Sequence, residues 1–97
     1  MDESLLVEAR REIDRVDTEM AQLFEERMAA AKKVAQFKKE NGMPIFDAAR
    51  EAQILACAAE RIQDEVLRRY YVEFLQNLMA VSKAYQSYLI SDCAQDR

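Results

Sequence analysis

One apolar line constrains this chain more than any other feature. Leu6, Ala9, Ile13, Val16, Met20, Leu23, Arg27, Ala30, Val34 and Phe37 follow in alternating steps of three and four. That spacing places them on a single face of an α-helix. The single Gly and single Pro of the chain both lie beyond it. The pattern predicts one helix over Ser4–Lys39, with Ser4 as a candidate N-cap. At about 1.5 Å per residue it would be roughly 50 Å long. In a chain of 97 residues such a helix cannot fold back on itself. It must project, and its stripe needs partners along its whole length.

One member of the line is charged. Arginine is almost never fully buried unless paired, and an unpaired buried charge costs several kcal/mol of desolvation. An anion therefore has to meet Arg27 inside the fold. It is either a carboxylate of the protein or a ligand. For Arg27 taken alone, an internal Glu or Asp is the simpler partner.

The rest of the chain is also helical. Asn41-Gly42 ends the first helix, with Gly42 suited to a left-handed C-terminal position. Met43 to Phe46 forms a short extended linker, because Pro44 disfavours helix at Met43. Asp47 is a good N-cap for a second helix over Ala48–Arg61, with Ala48, Ile54, Leu55, Ala58 and Ala59 as its apolar residues. Asp64 caps a third helix over Glu65–Ile90, whose apolar stripe is Leu67, Tyr71, Phe74, Leu78, Val81 and Tyr85. Residues 91–97 read as a frayed tail. The expected fold class is all-α, with three helices, one of them very long, in a single domain over residues 1–97. The core of so short a chain is modest, which suits an oligomer that buries more surface.

Composition removes several function classes. The net charge is −4 and there is no basic run, which argues against nucleic acid. No apolar stretch approaches the roughly 20 residues of a membrane span. The N-terminus has no basic start or apolar run of a signal peptide, so the expected location is the cytoplasm. Cys57 and Cys93 lack metal-ligand spacing and read as free thiols. Cys57, in an Ala-rich helix, reads as small core filler. There is no His, so the commonest general acid/base and all His-based metal sites are missing.

Several polar residues fall on or beside apolar faces. Lys38 lies eleven residues after Arg27, which on an ideal helix is the same face, roughly 16 Å along the axis. Two long cationic side chains so placed could bracket a small anion. Arg10 lies about 25 Å before Arg27 and roughly 100° around the helix. One chain cannot bring both arginines to one small molecule, so a shared site would need Arg10 from a second, antiparallel chain. Arg50 and Glu51 open the second helix, and Asp47 and Glu51 form an i,i+4 pair at its start. Free backbone N–H groups there can bind an anion or a hydroxyl. Ser82 and Gln86 form an i,i+4 pair at the edge of the third stripe. Each has a plainer reading: Lys38 as a solvated helix-end charge, Arg10 as surface, Asp47 as a cap, Arg50-Glu51 as a solvated pair, and Ser82 and Gln86 as inter-helix hydrogen bonds.

In combination they match a known pattern. The stretches Ala9-Arg10-Arg11-Glu12-Ile13-Asp14-Arg15-Val16-Asp17, Leu23-Phe24-Glu25-Glu26-Arg27, Val34-Ala35-Gln36-Phe37-Lys38, Phe46-Asp47-Ala48-Ala49-Arg50-Glu51 and Ser82-Lys83-Ala84-Tyr85-Gln86 occur in order. The chain thereby resembles the all-helical chorismate mutases over nearly its whole length. The resemblance implies an intertwined antiparallel homodimer with the long helices packed together. It implies rearrangement of chorismate to prephenate without metal or cofactor. The resemblance also leaves open a complex with another enzyme of the pathway.

The resemblance further implies the roles. Arg27 and the second chain's Arg10 bind the two substrate carboxylates. Lys38 contacts a carboxylate and the ether oxygen. Gln86 donates to the same oxygen. Glu51 accepts from the ring hydroxyl, with a backbone N–H near Asp47 assisting. Ser82 and Arg50 complete the carboxylate and ordering contacts. Three other readings stay open at this point. Two share the fold, an isochorismate-pyruvate lyase and a mutase of 4-amino-4-deoxychorismate. The third is a non-enzymatic helical dimerisation module. The presence of Asp47, Arg50 and Glu51 together favours the chorismate mutase.

Overall fold

A computed structural model describes the backbone of residues 3–95 and the side chains of residues 3–91. It contains three helices, α1 (Glu3–Glu40), α2 (Ala48–Arg61) and α3 (Glu65–Gln95), and no strand among the described residues. The all-helical architecture is the one the spacing predicts. Ser4 lies inside α1 rather than capping it, since the helix already includes Glu3. α3 continues to Gln95, so Ser91 to Gln95 are helical where the sequence suggests a frayed tail. Asp96, Arg97 and the side chain of Cys93 lie outside the described residues. No described helix is long and apolar enough to cross a membrane.

The chain divides into two compact units, Met1–Ala30 and Ala31–Arg97. The first is helical throughout its described length, and most of its apolar line is exposed. Ile13 and Leu23 are 56% and 62% exposed, and Leu6, Val16 and Met20 are also open to solvent.

In the second unit α2 packs against α3. Its buried apolar residues are Ala31 and Ala35 from the end of α1, Ala58 from α2, and Leu75 and Met79 from α3. The buried line of α3 is Leu75, Met79, Ser82 and Gln86. It lies one step around the helix from the expected stripe, of which Leu67, Phe74 and Val81 are exposed. α3 is apolar on two faces, so counting apolar steps alone does not say which face turns inward. Cys57 is exposed, because the inward side of α2 passes through Ala58 and the next residue back points some 100° away. It is not core filler.

The connections are built as local chemistry dictates. Gly42 adopts φ 61°. The Met43 N–H donates to the Lys38 carbonyl at 2.8 Å and the Gly42 N–H to the Lys39 carbonyl at 3.4 Å. This pair of bonds is a Schellman motif. A Cβ at Gly42 would meet nothing within 4 Å, so the need for glycine there is conformational. Gly42→Ala is expected to destabilise the fold by about 1–2 kcal/mol, measured by chemical denaturation. Asp47 caps α2 through its Oδ1, which accepts from the Arg50 N–H at 3.0 Å. Asp64 caps α3 by accepting from the N–H groups of Val66 at 2.9 Å and Leu67 at 3.0 Å. Arg68 ties the preceding turn by donating to the carbonyls of Ile62 and Gln63. That clasp separates α2 from α3 where no Gly or Pro does.

Candidate active site

The second unit gathers six of the eight candidate residues, and what each does follows from its place on a helix end or a buried line. Lys38 lies in the last turn of α1. Its half-buried ammonium donates to the Ile45 carbonyl at 2.6 Å. The same residue's carbonyl accepts the Met43 N–H. Lys38 is therefore fixed at both ends by the linker that follows it, and is not the solvated helix-end charge of the plainer reading.

Asp47 is the N-cap, with its side chain engaged by Arg50 N–H, while Glu51 N–H donates to the Asp47 carbonyl at 3.0 Å. Any N–H assisting a ligand hydroxyl must then precede Arg50. Arg50 and Glu51 do not form a pair with each other. The exposed Arg50 guanidinium donates to Gln53 Oε1 at 2.7 Å. Glu51 Oε2 instead meets Lys83 Nζ at 2.8 Å. Adjacent helical residues diverge by about 100°, which sends Arg50 toward solvent and Glu51 toward α3.

Ser82 and Gln86 are the buried polar residues of the described chain, at 6% and 7% exposure. Gln86 Nε2 donates to Ser82 Oγ at 3.2 Å. Gln86 Oε1 is buried and has no hydrogen-bond partner. A buried acceptor left unmade costs about 1–3 kcal/mol. Polar groups kept on an apolar line at that cost suit a site that receives a polar ligand. The inter-helix bond of the plainer reading is not what forms; the bond runs along α3 itself.

The remaining two candidates belong to the first unit. Arg10 is exposed and Arg27 is half-buried. The ion pairs of the described residues are Arg15–Glu19 and Glu51–Lys83. Arg27 is in neither, so no described carboxylate of its own chain supplies the anion that its place on the apolar line demands.

Lys83 joins this cluster although it is not among the residues the sequence singles out. It bridges to Glu51, and its ammonium lies 4.8 Å from the centroid of the Phe46 ring. No helical spacing links Lys83 with Glu51 or Phe46, since the contacts cross from α3 to α2 and to the linker. The only signal was a charge flanked by Ser82 and Gln86.

The family described as chorismate mutase type II matches residues 9–87. A chorismate mutase of Methanocaldococcus jannaschii is 29% identical over 85 residues, covering 82% of this chain and 86% of that protein. A T-protein of Haemophilus influenzae is 34% identical over 82 residues, covering 74% of this chain but only 22% of the relative. No solved structure matches significantly.

Proposed function

Because the chain belongs to the chorismate mutase type II family, and so to the isomerases, we propose that it converts chorismate to prephenate by electrostatic preorganisation. The observation that carries this reading is the family match over residues 9–87, which spans every residue given a role below. The reaction is an intramolecular rearrangement in which one C–O bond breaks as one C–C bond forms. It needs no external base or nucleophile, in keeping with a chain that has no His. The protein must hold a flexible dianion in its compact reactive shape and stabilise charge growing on the ether oxygen.

The roles divide by chemistry. Arg27 and the partner chain's copy of Arg10 bind the two carboxylates through charge-assisted forks. Lys38 serves a carboxylate and the ether oxygen, and Gln86 gives that oxygen a second donor. Glu51 accepts from the ring hydroxyl near the Asp47 cap. Ser82 and Arg50 complete the carboxylate and ordering contacts, and Ser82 also accepts from Gln86. The working form is an antiparallel homodimer. The exposed apolar line of Leu6, Ile13, Val16, Met20 and Leu23 supports it, since contiguous exposed apolar surface marks an interface.

The test is consumption of chorismate with stoichiometric appearance of prephenate, beside a parallel incubation with isochorismate. Turnover of chorismate is expected. Release of pyruvate from isochorismate without prephenate from chorismate would replace this reading with the lyase.

A further inference from the structure

We propose that Lys83 is a positioning residue that sets substrate specificity: it aims the Glu51 carboxylate at a neutral ring hydroxyl and disfavours a cationic group at the same ring position. The proposal rests on the functional reading above, in which Glu51 accepts from that hydroxyl. An exposed ion pair between two long side chains is ordinarily loose and contributes little. This one is restrained. The Lys83 and Glu51 side chains are 35% and 25% exposed, with Nζ 2.8 Å from Oε2. The same ammonium lies 4.8 Å from the centre of the Phe46 ring, within the range of a cation–π contact. One charge on α3 is thus held by the first turn of α2 and by the linker. The linker is pinned again one residue earlier, where Lys38 donates to the Ile45 carbonyl. Fixing the ammonium fixes the carboxylate that meets it.

The chemical consequence follows from the charges. Lys83 engages Oε2 of Glu51, and Oε1 is the oxygen left to accept from a ligand. A hydroxyl donates to it without adding charge, and the local balance stays neutral. An amine at the same ring position is protonated at neutral pH. It would bring a second cation to a carboxylate already compensated, and like charges at close range repel. Without Lys83, Glu51 becomes an uncompensated anion that welcomes the ammonium. Specificity is a difference of two affinities, and a repulsive element against the competitor contributes to it.

Two readouts separate this role from a structural one. The hydroxyl contact exists both in the bound substrate and in the transition state, so loosening it acts as a loss of uniform binding. Lys83→Met keeps the apolar stem and removes the charge. It is expected to raise KM for chorismate about tenfold with kcat within about threefold of wild type. The Ki of 4-amino-4-deoxychorismate as a competing ligand should fall in the same variant, so the ratio of Ki to KM drops by more than about tenfold. Lys83→Arg retains the cation and should keep that ratio within about threefold. If Lys83→Met loses helicity by circular dichroism, Lys83→Gln provides the same comparison. An active wild type whose ratio is unchanged in the folded neutral variant overturns this proposal alone. So does a ratio lost as fully in Lys83→Arg as in Lys83→Met. A wild type inactive on chorismate overturns the functional reading, and this proposal with it.

Discussion

Replacing Arg27 with lysine is expected to lower kcat/KM for chorismate by about 100- to 1,000-fold, with helical content and oligomeric state unchanged. The magnitude follows from geometry. Arginine offers a planar fork that grips a carboxylate through two parallel bonds, and lysine offers a point charge. Hydrogen bonds to charged groups contribute about 1.5–3 kcal/mol each. Losing one and misplacing the other reaches the stated range, at tenfold per 1.36 kcal/mol. Arg27 is half-buried and forms no ion pair with a described carboxylate of its own chain. If its anion were instead a protein carboxylate, lysine would still neutralise it, and stability rather than turnover would move. Kinetics and thermal melting on the same preparation separate the two cases. The shared site predicts one further result. Arg10→Ala and Arg27→Ala chains, each nearly inactive alone, should regain activity when mixed and refolded. A heterodimer with Arg10 across the interface has one site in which both arginines are intact. A mixture as inactive as its components would remove Arg10 from the partner's site.

The helices were legible because their signals are local. Asp47 and Asp64 cap the helices they were expected to cap, and α2 has the bounds its pattern predicts. Gly42 takes the left-handed conformation that the end of α1 requires. What sequence could not supply was the choice between faces. On α3 the line of Leu67, Phe74 and Val81 looks as apolar as the line that is buried, yet it lies outward. The inward line contains Ser82 and Gln86, whose polarity places them at an edge when steps are merely counted. Cys57 differs from its expected place in the same way, by about one residue's rotation. The Glu51–Lys83 bridge had no local signal, because it depends on how α2 and α3 approach. The neighbouring Arg50 made a sequence pairing with Glu51 look natural, although successive helical residues do not face each other.

Changing Gln86 to glutamate is expected to lower kcat by about 1,000-fold at neutral pH and to return much of it in acid. Gln86 is 7% exposed, and its amide gives one N–H to Ser82 Oγ at 3.2 Å. The second N–H is the donor assigned to the ether oxygen. Removal of one such donor costs about 100- to 1,000-fold, and an ionised carboxylate adds repulsion between its charge and the oxygen lone pairs. The direction with pH follows from the proton. Below the introduced group's pKa the acid carries an O–H that can replace the lost N–H; above it there is only an acceptor. Burial disfavours the ionised form, so the return should begin above the ordinary carboxylate range as pH falls. Dividing the variant's rate by that of wild type at each pH removes effects common to both. The ratio should climb steadily between about pH 8 and about pH 5. Gln86→Ala has no proton to regain and should stay low throughout. A flat ratio for Gln86→Glu would mean that this side chain does not face the breaking bond. The buried, half-satisfied amide on α3 would then need another reason for its place.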